Sequence, residues 1–275
     1  MPEAALDSLI AALNTLPLIT LGLIASLVAG SAAGIGALPV LVLRRISVRQ
    51  QDIMLGFSAG VMLAATAFSL LLPGVEAGID LYGGAMSAFL VVAAGALIGS
   101  AGLWAIHNAL PHEHLVKGPE HVDGRQVRRL WLFVIAITLH NFPEGLAVGV
   151  GFGGGNVENG VTLTIGIFLQ NLPEGLVVAL SMLALGYRPL PAVGIALATG
   201  AVESIGGFIG AGAVALAEPV LPWGLAMAGG AMLFVVSHEI IPETHRNGHD
   251  TAATFGLTVG FLLMMGLDVG LGVTD

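Results

Sequence analysis

Marked position by position as apolar or polar, the chain resolves into eight long apolar runs, at about 17–43, 53–75, 82–109, 130–153, 160–186, 189–216, 219–241 and 252–273. A helix needs about 20 mostly apolar residues to cross a hydrocarbon core of about 30 Å, and each run reaches that length. The connections between runs are too short for a separate soluble domain. The pattern predicts an all-α integral membrane protein: one transmembrane domain over residues 1–275, with eight helices packed as a bundle. Residues 3–14 have room for a short surface helix ahead of it.

Two of the runs are interrupted in the same way. "LHNFPEGLAV" (139–148) and "LQNLPEGLVV" (169–178) lie thirty positions apart, each deep in apolar sequence. On a helix, His140 and Glu144 are i,i+4 neighbours, and Asn141 and Glu144 are i,i+3 neighbours, so all three can face one spot. Gln170, Asn171 and Glu174 repeat the arrangement. Pro143 and Pro173 each lack an N–H and deprive the carbonyls of Leu139 and Leu169 of their helical donors. Such defects are tolerated at membrane depth where the backbone lines a cavity or is satisfied by neighbours.

Composition strengthens the membrane reading: 56% of the residues are hydrophobic and 10% charged, against roughly 25% charged in soluble domains. The 40 glycines suit close helix packing in lipid. Cysteine is absent, which excludes disulfides, thiolate nucleophiles, iron–sulfur clusters and cysteine zinc sites. The N-terminus, "MPEAALDSLI", lacks the basic region of a secretory signal.

Charge placement orients the bundle. Arg44, Arg45 and Arg49 follow the first run, Lys117, Arg125, Arg128 and Arg129 the third, Arg188 the fifth and Arg246 the seventh. The alternate connections carry Glu76, Asp80, Glu158 and Glu218 and no basic residue. Positive connections stay in the cytoplasm, so both termini lie outside it. The expected location is the plasma membrane, the inner membrane if the source is bacterial, as a multi-pass protein. The net charge of −9 looks toward cations, and no nucleic-acid partner is expected.

His140 lies eleven residues beyond Arg129, about 16 Å along a helix at 1.5 Å per residue. Gln170 lies equally far beyond Asn159, entering from the opposite face. Both motifs reach the midplane, one pointing up and one down, which is the layout of an inverted-repeat transporter. Glu203, in "TGAVESIGG", adds a third carboxylate from the sixth run. An intramembrane charge costs about 2.5–3.5 kcal/mol, so three unpaired carboxylates approach about 10 kcal/mol. None of the runs contains Lys or Arg, so the counter-charge must be imported as protons or metal cations. Protons alone leave the accompanying His, Asn and Gln without a role, whereas carboxylate, imidazole and amide oxygen together suit zinc, iron, manganese or cadmium. Met62 could add a soft thioether ligand or simply fill a gap in the core. Ser69 could line the outer approach or bond a carbonyl of its own helix.

These residues resemble the ZIP (Zrt/Irt-like) family of divalent metal transporters, through "HNFPEG", "QNLPEG", "VESIGG" and "SHEIIPETHRNGH". The resemblance implies a binuclear metal site of His140, Asn141, Glu144, Gln170, Asn171, Glu174 and Glu203 at the midplane between helices four, five and six. It further implies uptake into the cytoplasm by alternating access and a homodimer, with the metal as substrate and no organic cofactor. Some relatives have a carboxylate in place of Asn171, which makes the second metal position here less negative. His238, Glu239, Glu243 and His245 read as an exit relay at the cytoplasmic mouth, with His249 beside them. Residues 110–129 read as a cytoplasmic loop containing His112, Glu113, His114, His121 and Asp123.

Two other classes stay open. An intramembrane metal-dependent hydrolase is suggested by "HEIIP", but H-E-x-x-H chemistry needs a second histidine one turn on, where Pro242 stands. A proton-driven carrier of a non-metal solute would use the same acids.

Overall fold

The computed structural model describes residues 10–43, 46–109, 124–152 and 157–271. Among these, eight helices are long and apolar enough to cross a membrane. They are α1 (Leu18–Ala37, extended by a 3₁₀ turn Leu38–Leu41), α2 (Val48–Tyr82), α3 (Ala85–Ala109), α4 (Gly124–Gly151), α5 (Val157–Ala184), α6 (Pro189–Leu216), α7 (Leu221–His245) and α8 (Asp250–Gly270). Large apolar side chains such as Phe89, Leu97, Leu190 and Phe255 face outward from the bundle, where lipid solvates them.

α2 and α7 differ most from the expected runs. α2 starts at Val48 because Ser47 forms a capping box, its hydroxyl taking the Gln50 N–H while the Gln50 side chain takes the Ser47 N–H. α2 runs through Pro73, as its expected run does, and on to Tyr82, whereas α7 continues through Pro242, just past its expected end at 241, to His245. A proline cannot donate to the preceding turn and clashes with it. Each helix absorbs this by widening into a π-helical turn just before the proline, Ala65–Leu71 in α2 and Val236–Ile240 in α7. α4 begins at Gly124, so the last six positions of the expected 110–129 loop are helical. Its histidines and acids at 112–123 lie outside the described residues, as do residues 3–9; residues 10–13 are helical.

The helices form two groups. α1, α4, α5 and α6 pack on one another, with α6 against both α1 and α4; α2 packs along α8, and α3 along α7. Glycine brings the backbones of the first group into direct contact: a Cβ on Gly145 would overlap the Glu203 carbonyl, and one on Gly200 the Gly30 carbonyl. The two groups meet mainly where α5 crosses α2 and α4 crosses α7. Along the first seam Ser58 bonds the Gln170 carbonyl and Asn159 the Ser69 carbonyl. Each helix advances eleven residues between those two contacts, in opposite directions, so α2 and α5 run antiparallel without slipping.

All three tryptophans and both tyrosines sit near helix ends. Trp223 donates to the Tyr82 hydroxyl (3.3 Å) at the end carrying the acidic connections. At the basic end Trp131 meets Tyr187 edge-on (6.2 Å between rings), and Trp104 is exposed. Amphipathic rings favour the headgroup level, and these two belts bound the membrane-embedded bundle.

Candidate metal site

His140, Asn141 and Glu144 on α4, Gln170, Asn171 and Glu174 on α5, and Glu203 on α6 are all at most 2% exposed. Pro143 and Pro173 lie inside continuous helices. The bundle brings the three carboxylates together: Glu144 interacts electrostatically with both Glu174 and Glu203, and Glu174 with Glu203. Gly145, one residue beyond Glu144, makes this possible by seating the α4 backbone directly on α6 at Glu203.

Most of these polar atoms have no hydrogen-bond partner. Both oxygens of Glu144 and of Glu174, Glu203 Oε2, both ends of the Asn141 and Gln170 amides, and Asn171 Oδ1 are buried without one. Burying a charge unpaired is expensive, and native structures avoid it unless the group is paired or coordinates a metal. The fixed contacts are few. Asn171 Nδ2 donates to Glu203 Oε1 (2.6 Å) and to the Ala29 carbonyl (3.1 Å). Ser58 on α2 donates to the Gln170 carbonyl (2.9 Å), one residue past the Leu169 carbonyl that Pro173 deprives. Among the described residues no three His, Asp or Glu side chains are arranged to hold one ion as they stand.

Met62 is fully buried on α2, within the apolar core that includes Leu163 and Ile167. The α2–α5 register puts it level with Gly166, one turn from the Ser58–Gln170 contact toward the acidic end. Ser69 does not bond its own helix. Its hydroxyl donates to Asp268 Oδ1 on α8 (2.6 Å), and its carbonyl, four residues before Pro73, accepts from Asn159 Nδ2 (3.1 Å). Ser69, Asn159 and Asp268 are all at most 2% exposed.

The expected exit residues divide. Glu239 sits on the α7 π turn between two histidines, with Oε2 3.0 Å from His140 Nε2 and Oε1 3.2 Å from His107 Nδ1. The His140 contact is within ion-pair distance but out of line for a hydrogen bond. His238 stacks on Phe234 and meets His107 edge-on. Glu243 and His245 do not join this cluster. Glu243 meets Arg246 (3.3 Å) near the surface, and His245 Nδ1 turns back to the Ile241 carbonyl (2.8 Å). Both lie beyond Pro242, in the last turn of α7. His249 instead holds Asp52 Oδ2 (2.7 Å), with Asn247 on Oδ1 (3.1 Å), tying the α7–α8 connection to α2.

His107, Asn159 and Asp268 join these clusters without having stood out in the sequence. Asp268 was findable, since it is an acid inside an apolar run. His107 and Asn159 sit near run ends, where polar residues are ordinary.

Residues 105–268 match the model of a family described as ZIP zinc transporter. The chain is 49% identical over 251 residues to the zinc transporter GufA of Myxococcus xanthus, covering 91% of this chain and 99% of that protein. It is 46% identical over 253 residues to the zinc transporter ZIPB of Bordetella bronchiseptica, covering 89% and 81%. Human zinc transporter ZIP11 is 34% identical over 302 aligned positions, covering 80% and 88%.

Proposed function

We propose, from the premise that the chain belongs to the ZIP family of zinc transporters, that it carries divalent metal cations across its membrane through the α4–α5–α6 site. It is a transporter and not an enzyme. One observation carries this reading: three mutually interacting carboxylates are buried, five of their six oxygens without a hydrogen bond, in a bundle whose eight apolar runs contain no Lys or Arg. A dication is the counter-charge such a pocket lacks.

The cargo is zinc, as in the names of the relatives, and the same N/O donors would accept cadmium, iron or manganese. Glu144, Glu174 and His140 are the leading ligands, with Gln170, Asn141, Asn171 Oδ1 and Glu203 around them. Basic connections face the cytoplasm and both termini face out. The two motifs enter from opposite faces and meet near the midplane.

The acidic end is then the outer end, sealed by Ser69, Asn159 and Asp268. The basic end is more open: the side chains of Glu239 and His107 are 17% and 30% exposed. In each cycle α1, α4, α5 and α6 shift as one body against α2, α3, α7 and α8, exposing the site to either side in turn. His140 belongs to both the site and the exit, and hands the cation toward Glu239, His107 and His238. The assembly is a homodimer in the plasma membrane, as the family resemblance implies.

The test is uptake of radioactive zinc by proteoliposomes. Removing a ligand should cost at least the roughly 10–100-fold that changing an outer-shell partner of a metal costs. Uptake by Glu144→Ala or Glu174→Ala at the wild-type rate rejects the assignment, and transport of another solute that ignores zinc favours a proton-driven carrier.

A further inference from the structure

The two motifs treat their asparagines differently. Asn141 keeps both ends of its amide buried without partners, whereas Asn171 has spent both N–H bonds, on Glu203 Oε1 at 2.6 Å and on the Ala29 carbonyl at 3.1 Å. The orientation of the Asn171 amide follows from chemistry. A peptide carbonyl only accepts, so Nδ2 must face Ala29, and a flipped amide would set Oδ1 against two acceptors. The Glu203 backbone is closely packed beside this contact. The α4 backbone at Gly145 lies directly on its carbonyl, and a Cβ at Gly30 of α1 would stand 3.4 Å from its Cδ.

The geometry points to a site that holds one divalent cation at a time, with the Asn171 amide filling the place where a second cation would bridge residue 171 and Glu203. This deepens the transport reading above and rests on it. The pocket contains three carboxylates; one dication offsets two of them, and the third, Glu203, accepts the neutral Asn171 N–H, which bonds its oxygen without cancelling its charge. A carboxylate at 171 would make four acids and face Glu203 oxygen to oxygen. A shared proton or a cation between them would relieve that repulsion, and the cadmium count tells the two apart. The binuclear site that the family resemblance implies is thus reduced here to the half built from Glu144, Glu174, His140 and Gln170, while Glu203 is held by an internal donor.

Anomalous scattering from crystals of the full-length protein soaked in cadmium chloride tests this directly. The expected result is one cadmium peak among α4, α5 and α6 in the wild type and two in Asn171→Asp. Cadmium counted by equilibrium dialysis gives a second readout. Asn171→Asp should retain one more cadmium per chain than the wild type. Two peaks in the wild-type pocket or no added cadmium in a folded Asn171→Asp protein each overturns the one-cation site while leaving transport standing. A wild-type pocket without cadmium overturns both.

Discussion

The two π turns show how one backbone device yields opposite chemistries. In α2 the widened turn before Pro73 presents Ser69, and everything around it is closed: the hydroxyl holds Asp268, the carbonyl holds Asn159, and none of the three sees solvent. In α7 the widened turn before Pro242 presents Glu239 between His107 and His140, and that cluster is partly open. A π turn leaves a helix with an irregular stretch that other helices can address, which is why such bulges recur at functional sites. Each turn also makes contacts in both directions, to a helix of its own group (α8 or α3) and to one of the opposite group (α5 or α4). The difference between sealed and ajar is therefore set by the side chains, not by the backbone.

Breaking the sealed node should have the largest effect. Asp268→Ala removes the partner of Ser69 and the only acid of that node, and zinc uptake should fall about 10–100-fold; a change under twofold would mean the node is packing alone. Glu239→Gln tests the open cluster. Its amide oxygen can still accept from one histidine, so uptake should fall by about tenfold or less, with zinc binding measured by dialysis retained. Asn159→Ala should show mainly in stability, because it strands the buried Ser69 carbonyl. Denaturant unfolding in detergent should register a loss of about 1–3 kcal/mol, and an unchanged midpoint would contradict the contact. At the smallest end, His245→Ala touches an exposed side chain folded on its own helix. Stability should stay within about 0.5 kcal/mol with uptake unaltered; a large drop in uptake would place His245 on the exit path.

The eight helices and the paired motifs were legible because hydropathy and i,i+4 spacing are local properties. A single helix suffices to see that His140 and Glu144 share a face. What spacing cannot reveal is which helices become neighbours. Asp268 and Ser69 are 199 positions apart, and His107 and Glu239 come from different runs, so their pairing depends on how α2 lies along α8 and α3 along α7. Pro242 misled for a different reason. The seventh run stops at 241, one residue before it, and nothing local distinguishes a helix that ends at a proline from one that swells and continues.

The backbone-on-backbone seating of α4 over α6 at Gly145 and Glu203 has a kinetic corollary. Ligands welded to one block cannot relay an ion singly down a file of independent sites, as a pore does. Each ion must wait for the block to travel, and collective motions of that kind take microseconds to milliseconds. Flux should therefore level off at high zinc, at a ceiling set by the journey of the helices and not by the supply of ions.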